Sequence, residues 1–315
     1  DVLDTIRVKD RDYFKGFQNR IAKGLTPLHY IELDLGDLEK ELSSEGAGAK
    51  LTLFLHGWIR PTDCSLNISF SQNPREPGPV PPVILVPDQQ GQWVKTVDPM
   101  GFPGGKPKTI AVDLSDAFLT NDYRLRIQTS HEIYWDSIFF TLGDADFQPT
   151  ETKLDLVSAD LHYRGFSKRS VGGPQSPELY DYSVVNRTPR WPTMSGRFTR
   201  FGNVKELLTS RDDCFAVIGA GDEMTVRFDA LPEPPAGWKR DFVLHLVGYD
   251  KDADLNTVNG QTVEPLPFAG MKSYPYGAEQ DFPDSPKHRS YLDQYQTRTQ
   301  NWNSYWGRLS PTDSD

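Results

Sequence analysis

Four oxygen-bearing side chains stand at alternate positions in the stretch YDKDADLNTVNG: Asp250, Asp252, Asp254 and Asn256. Calcium takes about six to eight oxygen ligands, and alternate acidic residues in a tight loop supply several of them. An EF-hand loop starting at Asp250 needs Gly at its sixth position and a bidentate Glu at its twelfth. Leu255 and Gln261 stand there, which excludes that form. Glu264 approaches from the next turn and completes a candidate Ca2+ set. The competing reading is a solvated acidic turn after a strand, with Asp side chains capping backbone amides. A bound calcium ion would fix the exit of the C-terminal segment.

A second group lies in SHEIYWDSI. On a strand, His131, Ile133 and Trp135 share one face, and Glu132, Tyr134 and Asp136 share the other. Trp135 and Asp136, with Trp58 of LFLHGWIRP, are candidate ligand residues. Rings stack on the apolar faces of sugars and a carboxylate takes the hydroxyls. The alternative is one core face plus a structural Asp that satisfies loop amides. His56, beside Trp58, reads as a hydrogen-bonded turn residue or a pocket rim. Tyr163 and Arg164 of DLHYRGF, with Tyr180, Tyr182, Arg187, Arg190 and Trp191 further on, compose an aromatic-arginine set of the kind enriched at protein interfaces. Buried loop anchors are the alternative. Tyr274 and Tyr276 in the C-terminal segment join the candidate interface set.

No nucleophile elbow, zinc-protease helix motif or phosphate loop occurs. GAGDE at Gly219–Glu223 is a strand turn without the spacing of a dinucleotide loop. Spacing alone identifies no pair of carboxylates for glycoside hydrolysis.

These residues must be positioned by strands. HYIELDLGDL, KLTLFLHGWI, CSLNISFSQ, VILVPDQQGQWVKTVD, TIAVDLSDAF and YRLRIQTSHEIYWDSIFFTL each alternate with period two. Pro-rich NPREPGPVPP and PMGFPGGKPK are loops, since proline cannot enter a central ladder. A second block begins near Thr152. TKLDLVSADLHYRGF reads as strand, DCFAVIGAGDEMTVRFDAL as two strands about a Gly-Ala-Gly-Asp turn, and KRDFVLHLVGY as a strand ending at the Asp series. FGNVKELLTS is the best helix candidate, with Val204, Leu207 and Leu208 on one side. Short strands punctuated by 25 Gly and 25 Pro argue for antiparallel sandwiches and against a βαβ fold.

A net charge of −10 repels nucleic acid and anionic lipid, and no basic stripe offsets it. No apolar run reaches the roughly 18 residues of a membrane span. A mean hydropathy of −0.56 is low, but a 12% aromatic share argues for a folded core. Cys64 and Cys214 either pair or remain as thiols. Asp1 follows no charged-then-apolar leader, which fits a processed mature chain or a piece of a longer one.

The blocks RLRIQTSHEIYWDSIFF, DLHYRGFSK, GRFTRFGNVKELL, GYDKDADLNT, TVEPLPF and YPYGAEQDFPDSPKHRSYLDQYQTR follow one another in order. Together, over roughly residues 50–300, they resemble the C-terminal region of large bacterial extracytoplasmic proteins. Those carry FG-GAP/VCBS propeller repeats with an ASPIC/UnbV segment (CRTAC-like proteins), often with tetratricopeptide repeats. This chain has no FG-GAP calcium repeat and no propeller, so the family's propeller-borne calcium sites do not carry over. The resemblance implies a periplasmic or extracellular setting and a binding or assembly role rather than an enzyme.

The expectation is a mainly β protein with two antiparallel β-sandwich, jelly-roll or galactose-binding-like domains, long loops and few short helices. Its parts are an extended N-terminal arm (1–28), sandwich domains at 29–150 and 151–270, and an extended C-terminal tail (271–315). The expected role is a non-catalytic subunit docked on a larger protein assembly, at the outer face of a membrane. A carbohydrate-binding module is the alternative, and a glycan hydrolase the third.

Overall fold

The computed structural model describes residues 1–14, 17, 19–45, 50–73, 78–143, 150–171, 177–189, 193–254 and 257–301. Strand exceeds helix threefold, 34% against 11%, so the chain is mainly β, with antiparallel sheets and few short helices. It divides into two compact units, Asp1–Pro149 with Arg169–Leu179, and Thr150–Lys168 with Tyr180–Asp315.

The first unit holds strands β1 (Leu25–Asp34), β2 (Leu51–Ile59), β3 (Val83–Pro87), β4 (Trp93–Val97), β5 (Lys108–Asp113), β6 (Arg124–His131) and β7 (Ile133–Leu142). They form two antiparallel sheets, ordered β1-β6-β3-β4 and β5-β2-β7. The period-two alternation explains the layering. Leu51, Leu53 and Leu55 from one sheet meet Ile31, Ile84, Val86, Leu125 and Ile127 from the other in a single core. Asp88 shapes the β3–β4 turn by accepting from the Gln90 and Gln92 amides, at 2.9 and 2.8 Å. β6 and β7 are consecutive but belong to different sheets. Glu132, the single residue between them, is the corner where the chain changes sheet.

The lead-in, expected as an extended arm, is folded onto this unit. Helix α1 (Leu3–Ile6) puts Ile6 into the main core, and Tyr13 and Phe17 pack with Trp58 and Tyr134. The Phe14 amide donates to the Trp135 carbonyl at 2.8 Å. Its aromatic side chains have more apolar area to hide than an exposed arm could tolerate. Helix α2 spans Glu39–Glu45. CSLNISFSQ, expected as a strand, is helix α3 (Cys64–Gln72). Asp63 caps it by accepting from the Leu66 amide at 2.8 Å, and none of its residues is buried. The N-cap decides the conformation where no buried face enforces the alternation.

The second unit is built on a three-stranded antiparallel sheet ordered β12-β8-β13. Its strands are β8 (Leu156–Tyr163), β12 (Gly202–Asn203) and β13 (Asp222–Phe228). Strands β9 (Phe166–Val171) and β10 (Glu178–Asn186) pair with each other, and the division between units passes through them. The expected helix in FGNVKELLTS is a single 3-10 turn, Lys205–Leu208, with Val204 and Leu207 buried. Of the two strands expected about Gly219–Asp222, only β13 forms. KRDFVLHLVGY, expected as a strand, joins no sheet among the described residues.

The described part of the tail is folded too. Helix α4 (Pro286–Gln294) starts from a Ser285 cap with Pro286 at its first position. Tyr291 enters the core with Ala159, Leu161 and Leu207. Strand β14 (Arg298–Gln300) then pairs antiparallel with β11 (Gly196–Phe198). Cys64 and Cys214 are not joined in a disulfide. Among the described residues no helix is long and apolar enough to cross a membrane.

Candidate functional site

Glu132 is fully buried at the sheet corner, and four donors converge on it. Arg20 donates from Nε to Oε2 at 2.8 Å and from Nη2 to Oε1 at 2.6 Å. Arg60 Nε donates to Oε1 at 3.0 Å, and the Tyr134 hydroxyl donates to the same oxygen. Burial alone would raise the Glu132 pKa. The hydrogen bonds from Arg20 and Tyr134 and the two guanidinium charges outweigh burial and hold it below the ordinary glutamate value. Burial and the hydrogen bond to Glu132 push the Tyr134 phenol up. This carboxylate is locked in its ionised form. It clamps the lead-in and the β2 exit to the corner, and it is not free to exchange protons with a substrate.

Asp136 is also fully buried. Its Oδ1 accepts from the backbone amides of Asp10 and Arg11, at 3.2 and 2.8 Å. Arg11 adopts a left-handed φ of 73°, which aims its amide at the carboxylate. Oδ2 is buried without a hydrogen-bond partner, and His56 Nε2 lies 3.9 Å away. His56 Nδ1 meets Thr109 Oγ1 at 2.9 Å. Burial, then the Lys9 charge, lower the His56 pKa against the opposing pull of Asp136, so the ring is neutral at pH 7.

Trp58 and Trp135 are buried, and Trp58 Nε1 donates to the Gly105 carbonyl at 2.9 Å. Neither ring offers a face to a ligand. The expected division of faces on β7 holds, since Ile133 and Trp135 enter the main core and Tyr134 joins Tyr13 and Phe17. Both faces are covered because the lead-in lies over the second. Trp58 and Trp135 are therefore buried rather than exposed platforms, and Asp136 accepts from the lead-in amides.

The outer side of the four-stranded sheet carries a set that sequence reading missed. The Arg126 guanidinium stacks between Tyr30, 4.1 Å from its ring centre, and Trp93, 3.9 Å from its own. Its Nε donates to Glu32 at 2.8 Å, and Arg124 also covers Trp93, at 5.8 Å. Only the cross-strand register Glu32↔Arg126 foreshadows it, and register is invisible before the strands are paired.

In the second unit the structure gathers part of the expected aromatic-arginine set. Tyr180 and Tyr182 stack at 6.5 Å and 27°, and Arg164 Nη2 donates to the Tyr182 carbonyl. Tyr163 donates to the Arg187 carbonyl at 3.2 Å. Trp191 lies outside the described residues. Sequence reading missed two carboxylates here. His162 contacts Asp160 at 3.2 Å and Glu223 at 3.3 Å, and Arg164 Nε pairs with Glu223 at 2.9 Å.

Among the described residues the acidic series is not gathered into a cation cage. Asp250 and Asp252 are exposed, while Asp254 is buried and its amide donates to the Gly260 carbonyl at 3.0 Å. Glu264 pairs with Arg197 at 3.3 Å. Asn256 lies outside the described residues. Among the described residues no group of three or more His, Cys, Asp or Glu side chains is arranged to hold a metal ion. Tyr274 donates to the Pro265 carbonyl at 2.8 Å and Tyr276 to the Leu266 carbonyl at 3.2 Å, so both phenols tether the tail. A pocket lined by Leu42, Leu51, Leu114, Phe118 and Tyr123 has no acid, histidine or cysteine in its lining.

No protein-family model, curated protein or solved structure matches the chain.

Proposed function

We propose that this chain is a non-catalytic binding or scaffold subunit that docks on a larger protein assembly in an extracytoplasmic setting, at the outer face of a membrane. The observation that carries this is the Tyr30–Arg126–Trp93 stack on the outer side of the four-stranded sheet. Aromatic and arginine side chains supply most of the energy at protein interfaces, and here their geometry is set before any partner arrives. The buried carboxylates support the same reading, because Glu132 and Asp136 already hold this chain's own groups. The extracytoplasmic setting rests on the resemblance to the C-terminal region of FG-GAP/VCBS, ASPIC/UnbV proteins.

The test is affinity capture from native membranes with the wild-type chain and with a Trp93→Ala/Arg126→Ala variant. Partners recovered by the first and lost by the second support the proposal. Identical recoveries overturn it.

A second reading, glycan binding, is favoured by one observation. The stacked Tyr180–Tyr182 pair on β10 offers two adjacent rings, with Tyr182 about half exposed. Glycan-array binding abolished by Tyr182→Ala would select it, and array silence would remove it.

A further inference from the structure

The segment Asp241–Tyr249 is apolar and uncovered. Val243 is 95% exposed, Leu246 79% and Phe242 74%. Among the described residues no backbone hydrogen bond ties 242–248. The run holds no proline and is rich in Phe, Val and Leu, the composition of a strand. Extended, it puts Phe242, Leu244 and Leu246 on one face and Asp241, Val243, His245 and Val247 on the other.

An open edge precedes it in the same unit. β13 is the terminal strand of the β12-β8-β13 sheet, and among the described residues no strand lies beside its outer rim. Met224 and Val226 pack against the buried cluster of this unit, so Glu223, Thr225 and Arg227 take the other face. One antiparallel register is complementary on both faces. On the core side it sets Val226 opposite Phe242 and Met224 opposite Leu244. On the outer side Arg227 meets Asp241, Thr225 meets Val243 and Glu223 meets His245.

We propose that Asp241–Tyr249 is a strap that closes on the β13 edge of its own chain, as an antiparallel strand that makes the sheet four-stranded. Both ends of the strap are tied to the unit that carries this edge. At its start the connector folds back. Arg240 donates to the Pro232 carbonyl, and the Trp238 amide donates to the Pro235 carbonyl at 3.0 Å. At its end the Tyr249 ring lies 5.9 Å from that of Phe215, which packs on the same cluster as Met224 and Val226. Just beyond, Lys251 Nζ donates to the Tyr274 hydroxyl at 2.6 Å. A short tether holds the strap at roughly millimolar effective concentration from its own edge, which a second copy at micromolar concentration does not match. Closure gives the bare amides partners, covers Phe242 and Leu244, and blocks an edge that otherwise invites pairing with other chains. The inference stands independently of the partner reading above.

The experiment is hydrogen exchange on the full chain, read by mass spectrometry in the β13 peptide, for the wild type and for Leu244→Pro. The substitution leaves the β13 sequence unaltered, and Leu244 is 59% exposed, so it carries no packing in the open form. A strap that closes should make exchange in β13 at least about tenfold slower in the wild type than in Leu244→Pro. Equal rates would overturn the proposal. A second measurement uses the full chain with Cys64→Ser, Thr225→Cys and Val243→Cys, oxidised mildly and resolved on a non-reducing gel. The expected product is a monomer with the two introduced cysteines joined within one chain. Disulfide-linked dimers would assign the edge to a second copy, and thiols left free would show that the strap does not reach it. Either result would overturn the proposal.

Discussion

Arg20 holds Glu132 with two nitrogens, at 2.8 and 2.6 Å, across 112 residues of chain. The bond joins the lead-in to the point where β6 ends and β7 begins. Arg60 brings the β2 exit to the same carboxylate. Three remote segments thus share one buried charge, and that charge is neutralised from two sides.

Removing one partner leaves a buried charge uncompensated. Arg20→Ala and Glu132→Gln should each destabilise the first unit by about 3–5 kcal/mol, read from urea denaturation followed by tryptophan fluorescence. Because Glu132 titrates below its unfolded value, its contribution is complete above the unfolded pKa, near 4.3, and is lost as pH falls through the folded one. Glu132→Gln should flatten the acid limb of the stability profile. An unchanged limb would place the acid sensitivity elsewhere.

Asp136 pins the lead-in through the Asp10 and Arg11 amides. Asp136→Ala should release it, so that trypsin cuts after Arg7, Lys9 and Arg11 several-fold faster, as followed by mass spectrometry. Asp136→Asn keeps an acceptor oxygen and should fall between the two.

Burial lowers the pKa of His29, His56 and His131, all in the first unit. Each is favoured neutral when folded, so the unfolded chain binds more protons just below pH 6.5 and stability is lost there as pH falls. The slope is at most about 1.4 kcal/mol per pH unit for each ring, and less for the partly exposed ones. Melting temperatures at pH 7.5 and 5.5 check this, and His56→Asn should reduce the difference.

Gly57 sits at a bulge in β2. A Cβ there would lie 2.5 Å from the Tyr134 carbonyl oxygen and 2.8 Å from the Trp135 ring. Gly57→Ala should cost about 1–3 kcal/mol by overpacking, measured by thermal unfolding. A neutral result would show that β2 and β7 can separate locally.

Gln296 is buried, and its Nε2 donates to Thr199 Oγ1 at 2.9 Å and to the Tyr291 hydroxyl at 2.7 Å. Gln296→Leu strands both and should destabilise the second unit by about 1–3 kcal/mol. Hydrogen exchange in α4 should rise with it. Unaltered protection would mean that Tyr291 packing and the Arg298–Asp222 ion pair hold α4 without Gln296.

Alternation by itself determined β1, β2, β3, β5, β6 and β7, because a half-buried strand writes its period directly into Leu51, Leu53 and Leu55 or Leu125 and Ile127. It also divided β7 into an Ile133–Trp135 face and a Tyr134–Asp136 face. It did not determine that both would be buried, because the covering residues Tyr13 and Phe17 lie more than a hundred positions away. That long-range cover turned a candidate sugar platform into structure. Asp63 turned an alternating stretch into helix α3 through one cap, a local signal outweighed in the reading by period. The Tyr30–Arg126–Trp93 stack needed the pairing of β1, β6, β3 and β4, and only the folded chain shows that 241–249 join no sheet among the described residues. Which strands exist is a local matter of side-chain period. Which faces and edges remain open is decided only when the whole chain has folded.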